Sequence, residues 1–205
     1  MKKATIFAIF ALVCSIGFAR SQNLLVNGSF ELGLSMWNAS GAVEARGDRG
    51  FTDGSAAAVF GFGNVLPSGA LTQSFATIPG QQYELQFDYG IFGTGDPFQG
   101  ALRVQVGSSS LDVLLTGIPP GMPPSFHTLS LLFTPTSSLS TLSFRDLSQS
   151  SQTIDFVLDR ASVRAVPEPS LISLLFLGSA LLVWRAWRLT RRCSEPLAAP
   201  RSSFP

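Results

Sequence analysis

Tyr83, Leu85, Phe87 and Tyr89 alternate with Glu84, Gln86 and Asp88. Seven residues at a period of two describe a strand with one face in a core and the other in water. The pattern recurs down the chain. Leu102, Val104 and Val106 alternate with Arg103 and Gln105. Leu129, Leu131 and Phe133 form another run, closed by Pro135, and Leu142 with Phe144 a shorter one. Ile154, Phe156 and Leu158 continue through Ala161 and Val163. Between them stand Gly, Pro, Ser and Asn, and Ile78-Pro79-Gly80-Gln81 suits a type II turn, with Pro at the second position and Gly at the third. No ten-residue stretch between 21 and 165 shows a convincing 3.6 period. The fold class expected is all-β, an antiparallel β-sandwich of the jelly-roll kind.

Charge excludes several functions. Only 13% of the 205 residues are charged, against about 25% in an ordinary soluble domain. Residues 21–165 hold eleven acids and six arginines, hence −5, and no lysine. A lysine-free, mildly acidic body repels phosphate backbones, so no nucleic-acid partner is expected. Cys14 and Cys193 lie outside this region, so no disulfide staples it. A body of this size builds a core without one.

Both ends are greasy. Met1-Lys2-Lys3 precedes an apolar run from Ala4 to Phe18, and Gly17-Phe18-Ala19 offers small residues for cleavage after Ala19. Residues 1–19 therefore read as a secretory signal peptide. At the other end, Pro167-Glu168-Pro169 leads into fourteen uncharged residues, 171–184, followed by Arg185, Arg188, Arg191 and Arg192. At 1.5 Å per residue that helix reaches only about 21 Å, short of a bilayer core of about 30 Å. Leucine all round it, Trp184 and Trp187 at its end, and arginines on one side nevertheless suit a membrane span with the body outside.

Pro167-Glu168-Pro169, a short Leu-rich span and an arginine cluster, behind a signal peptide, resemble the PEP-CTERM sorting signal of exported bacterial proteins. The resemblance covers 166–192. It implies as partners a signal peptidase and an exosortase, a membrane-embedded transpeptidase that acts near the Pro-Glu-Pro and delivers the protein to the cell surface or extracellular matrix. Residues 193–205 then form a cytoplasmic tail.

The body carries a second resemblance. Asn27-Gly28-Ser29-Phe30-Glu31, Trp37, Asp53-Gly54-Ser55-Ala56-Ala57, the Pro79-Gly80 turn and Leu158-Asp159-Arg160-Ala161-Ser162-Val163 look like galactose-binding-like jelly rolls, the fold of many carbohydrate-binding modules. The resemblance implies that the first and last strands lie together and share a structural calcium ion. Glu31 and Asp159 match its carboxylates, with Asp48 and Asp53 available to complete the shell.

Catalysis finds little support. His127 is the single histidine, and no Gly-x-Ser-x-Gly elbow accompanies it. One histidine and no cysteine in the body disfavour zinc. Asp155 and Asp159 on one strand would stand about 13 Å apart, beyond the roughly 5–9.5 Å of glycosidase pairs. Sugar binding asks instead for exposed rings and a few fixing polar groups. Trp37, Phe92, Asp96 and Phe98 are the candidates, the last three in the glycine-rich stretch 91–100.

The chain thus reads as a signal peptide (1–19), a β-sandwich (20–165), a sorting signal with its span (166–192) and a tail (193–205). The expected function is non-catalytic: an exported surface or matrix protein that is adhesive, structural or bound to extracellular polysaccharide. A small secreted hydrolase and a permanently membrane-anchored surface protein stay open beside it.

Overall fold

A computed structural model describes residues 22–63, 66–93, 99–116, 125–149, 154–167, 178–185 and 188. Ten strands run in order along it: β1 (Asn38–Ser40), β2 (Val43–Arg46), β3 (Ala57–Phe60), β4 (Ala70–Ala76), β5 (Tyr83–Gly93), β6 (Gln99–Val106), β7 (Ser109–Thr116), β8 (Phe126–Phe133), β9 (Leu139–Asp146) and β10 (Ile154–Ala165). They form two five-stranded sheets, ordered β1-β4-β9-β6-β7 and β2-β3-β10-β5-β8. Every pairing is antiparallel. The expected all-β sandwich is what the chain adopts.

Alternation decides which face each strand buries. Leu85 and Phe87 from β5 meet Leu102, Val104, Leu142 and Phe144 from the other sheet in one core. Phe30 and Trp37, from the segment that precedes β1, join it. The 78–81 turn forms as expected: the Gln81 amide donates to the Ile78 carbonyl at 3.1 Å, and Gly80 takes a φ of 82°, which suits glycine.

Strand β10, last in sequence, sits in the middle of its sheet between β3 and β5. Its inward residues change phase, from Ile154, Phe156 and Leu158 to Ala161 and Val163. A bulge explains this. The register with β5 shifts between Asp159 and Ser162, and Arg160 takes a φ of 50°. The N-terminal segment docks on this bulge. The Ala161 amide donates to the Gly28 carbonyl and the Leu24 amide to the Val163 carbonyl, each at 2.8 Å. The Asn23 side chain accepts from the Val163 amide. Only glycine fits at 28, because a Cβ there would lie 1.9 Å from the Ala161 carbonyl oxygen.

Strand β3 is buried on both faces. Ala58 and Phe60 point into the main core, whereas Ala57, Val59 and, from β10, Val157 form a smaller cluster on the outer side. Phe62, Phe92 and Phe126 cover that cluster.

The chain from Pro167 onward forms a separate unit. Residues 178–185 are helical, and the Arg188 guanidinium stacks on the Trp184 ring at 4.0 Å. Among the described residues no helix is long and apolar enough to cross a membrane. Residues 171–177, the first half of the expected span, lie outside the described residues, as does the expected signal peptide 1–19.

Candidate functional site

Trp37 is not a binding platform. It is buried, its ring centroid 5.5 Å from that of Phe30 and 6.1 Å from that of Phe144. Its indole Nε1 donates to the Asn27 carbonyl at 3.0 Å. A tight loop tied by Asn27, whose side chain donates to the carbonyls of Gly33 and Ser35, draws the tryptophan inward. The reason it looked available, a flank of loop residues, is the reason it turns into the core. Phe92 stays on the outer face of the second sheet, where the Arg49 guanidinium covers its ring at 4.5 Å. Asp96 and Phe98 lie outside the described residues.

Glu31 and Asp159 do come to one place. Both grip the loop between β2 and β3. Glu31 Oε1 accepts from the amides of Ser55 and Ala56 at 2.8 and 2.9 Å, and Oε2 from the Ser55 hydroxyl at 2.8 Å. Asp159 Oδ2 accepts from the amides of Thr52 and Asp53 at 2.6 and 2.8 Å and from the Thr52 hydroxyl, and Oδ1 from the Arg160 amide at 2.6 Å. Calcium asks for a shell of oxygen ligands with free lone pairs. These oxygens face N–H and O–H donors instead. Among the described residues no group of three acidic, histidine or cysteine side chains could hold a metal. The pair does not fit the implied ion; it fits a loop clamp. Hydrogen bonds from Ser55 and Ala56 hold the Glu31 carboxyl below its usual range. Burial pushes the Asp159 carboxyl up, against the pull of its amide donors.

That loop carries charge over the second sheet. Arg46 meets Asp48 through Nε and Nη2, both at 2.8 Å, and lies 3.7 Å over the Phe62 ring. Arg49 binds Asp48 at 3.0 Å and Asp155 at 2.8 Å. Burial raises the Asp155 carboxyl, with Arg49 opposing. Next to it, Asp88 and Asp159 are Cα partners on β5 and β10. Arg160 neutralises Asp88 with two contacts at 2.9 and 3.0 Å, and the Thr128 hydroxyl donates to it at 2.6 Å. Burial pushes Asp88 up, but the Thr128 and Thr52 hydroxyls and the guanidinium outweigh it and leave the carboxyl low. Each of these carboxylates already has its donors.

The first sheet presents the opposite kind of surface. Leu71, Leu102, Val104, Val113, Leu142 and Phe144 point into the core, so the residues between them point out. The register lines these up in two rows across all five strands. One reads Asn38, Thr72, Ser143, Gln105, Ser110. The next reads Ser40, Ala70, Arg145, Arg103, Asp112. Five strands at about 4.8 Å make each row roughly 19 Å long. Ser74 and Thr141 extend the surface, their hydroxyls 2.8 Å apart. A cleft of about 330 Å³ opens beside the middle of the first row, lined by Gln105, Thr141 and Ser143 and by the turns at 107–109 and 134–137. Its described lining is uncharged. None of these row residues was a sequence candidate, although the alternation of Arg103 and Gln105 with Leu102, Val104 and Val106 already placed them outside.

Of the expected sorting signal, Pro167 ends the described stretch after β10, and Arg185 and Arg188 belong to the described helix; Glu168, Pro169, Arg191 and Arg192 lie outside it.

No protein-family model matches the sequence, and no curated protein does. Solved structures do. TmCBM61, in complex with beta-1,4-galactotriose, is similar at a TM-score of 0.52 and 18% identity, covering 71% of this chain and 100% of its own. A cleaved adhesin domain of Lys-gingipain from Porphyromonas gingivalis aligns at 0.53 and 15% identity, over 68% of this chain and 96% of that one. The arabinose-bound α-L-arabinofuranosidase MgGH51 aligns at 0.52 and 16%, over 74% of this chain but 27% of the enzyme. The body has the fold of these domains.

Proposed function

We propose that the chain is an exported, non-catalytic protein of the cell surface or extracellular matrix, and that its sandwich binds polysaccharide across the open face of the first sheet. One observation carries the binding: two transverse rows of hydroxyl, amide and guanidinium groups, side by side and open to water. An extended glycan laid across the strands would meet a new donor or acceptor at each strand. Asn38, Gln105 and the hydroxyls of Thr72, Ser143 and Ser110 both give and accept hydrogen bonds, which suits sugar hydroxyls. No aromatic ring stands in either row, so recognition here works by hydrogen bonding and charge. Support also comes from the fold, shared with a module whose structure holds a galactotriose.

Export rests on the signal peptide at 1–19 and the PEP-CTERM-like segment at 166–192, with signal peptidase and an exosortase as processing partners. The non-catalytic reading rests on the buried acids of the second sheet, Asp88, Asp155 and Asp159, each held by internal donors.

The test is retardation in native gels cast with soluble polysaccharides. Full-length chain, held in a polyoxyethylene detergent that carries no sugar, should be slowed by at least one of them. Exchange of Gln105 and Ser143 together for alanine should abolish the retardation with the melting temperature little changed. Chain that migrates freely through every gel overturns the reading.

A further inference from the structure

Arg103 and Arg145 break a local rule of sheet design. They are Cα partners on β6 and β9, and both side chains are exposed. Like charges directly opposite one another on a sheet face are destabilising. The fold answers for only one of them. Asp112, on the far side of Arg103, takes its Nε and Nη2 in a two-point contact at 2.7 Å each. Across β9 on the other side, Arg145 faces Ala70, whose methyl group offers nothing to a cation. Among the described residues no carboxylate lies within ion-pair distance of Arg145. The other sandwich arginines fare differently. Arg46, Arg49 and Arg160 have carboxylate partners, and Arg164 stands opposite Glu84. Among the sandwich arginines, Arg145 alone faces a cation with no acid across from it on either neighbouring strand, in a body whose net charge is −5. Broken local rules of this kind gather at functional sites.

We infer that Arg145 receives the carboxylate of an acidic polysaccharide, one built with uronic acid residues. This rests on the glycan-binding reading above and names the ligand class of the same face. The guanidinium is planar and always charged, and its fork matches a carboxylate in two-point contact. A bound carboxylate would also relieve the repulsion between the two arginines, so binding replaces an unfavourable pair by a favourable trio. The neighbouring row, Thr72, Ser143 and Gln105, lies two residues along the strands, about 7 Å away. That is within one sugar's reach, so the hydroxyls of the same chain have partners while its acid group sits on Arg145. Asp112 holds Arg103 in place and makes the local charge +1, enough for one carboxylate.

Polygalacturonate and the same polymer with its carboxyl groups reduced to alcohols provide the test. Full-length chain in polyoxyethylene detergent is run in gels containing each, and its affinities are then titrated by calorimetry. The acidic polymer should bind about tenfold tighter or more, as expected of a charged hydrogen-bonded pair. Arg145→Gln should bring the two affinities together, mainly through loss of affinity for the acidic polymer. Arg145→Lys should keep part of the preference. A purely structural arginine would make Arg145→Gln less stable, whereas removal of a like-charge neighbour leaves the melting temperature equal or higher. Equal binding of both polymers by the unaltered chain, or an undiminished preference in Arg145→Gln, overturns the inference and leaves glycan binding standing. Failure to bind either polymer overturns the inference; freedom in every other gel would sink glycan binding as well.

Discussion

The Glu31 carboxylate reaches 24 residues down the chain to hold Ser55 by both its amide and its hydroxyl. A surface acid thus fixes the loop that carries Asp48 and Arg49. Its carboxyl sits below the ordinary range because three donors favour the charged form. The stability this contact gives is present above the unfolded value, near pH 4, and is lost as pH falls through the folded value. Comparing thermal melts of Glu31→Gln with the unaltered chain from pH 6 to pH 3 should show a gap that closes on acidification. A gap that stays constant would mean the charge of Glu31 is idle.

Asp159 is the inner half of the clamp, fully buried and bound to three backbone amides. Asp159→Ala should cost about 2–4 kcal/mol in urea denaturation, because those amides would be stranded. Asp159→Asn should also be destabilising, since one of its two polar atoms would bring N–H groups against N–H donors.

If the clamp works through hydrogen bonds alone, a strong chelator should leave the melting temperature where it was. A fall on chelation that added calcium reverses would return Glu31 and Asp159 to an ion-binding role.

Gly28 has no room for a side chain. Gly28→Ala should separate the N-terminal segment from the β10 bulge and weaken the Ala161 to Gly28 hydrogen bond. Native-state hydrogen exchange would report this as faster exchange at Ala161, with the protection of Val104 and Phe144 retained. Unchanged exchange at Ala161 would contradict the docking described.

The sorting proposal predicts where the mature chain stops. Mass spectrometry of protein released from the cell surface should find an end near residue 167. A chain that runs to Pro205 would leave the alternative of a retained anchor.

Strands with one wet face were legible from the sequence: β5, β6, β8 and β9 follow the alternations of Tyr83–Tyr89, Leu102–Val106, Leu129–Phe133 and Leu142–Phe144. Strand β10, buried on both faces, was legible because the buried acids Asp155 and Asp159 interrupt its apolar run. Strand β3 was not, because Ala57–Phe60 is buried on both faces and so has no polar partner to alternate with. Strand β4 was hidden by Gln73, a polar residue at an inward position, whose side chain serves the Val26 backbone. The candidate site was missed for a related reason. Its residues are ordinary Ser, Thr, Gln and Arg, and only the register of five strands makes rows of them. Glu31 and Asp159 both grip the β2–β3 loop, and nothing in their flanking motifs distinguishes amide donors from oxygen ligands.

The place of β10 constrains how the sandwich can close. Without residues 154–165, β3 and β5 would have no common neighbour, and the segment around Leu24 and Gly28 would have nothing to dock on. A nascent chain can therefore assemble hairpins early, yet the sandwich locks only when its last residues arrive. Until then one sheet lacks its central strand, which would keep the chain easier to thread through a channel if it is exported as proposed.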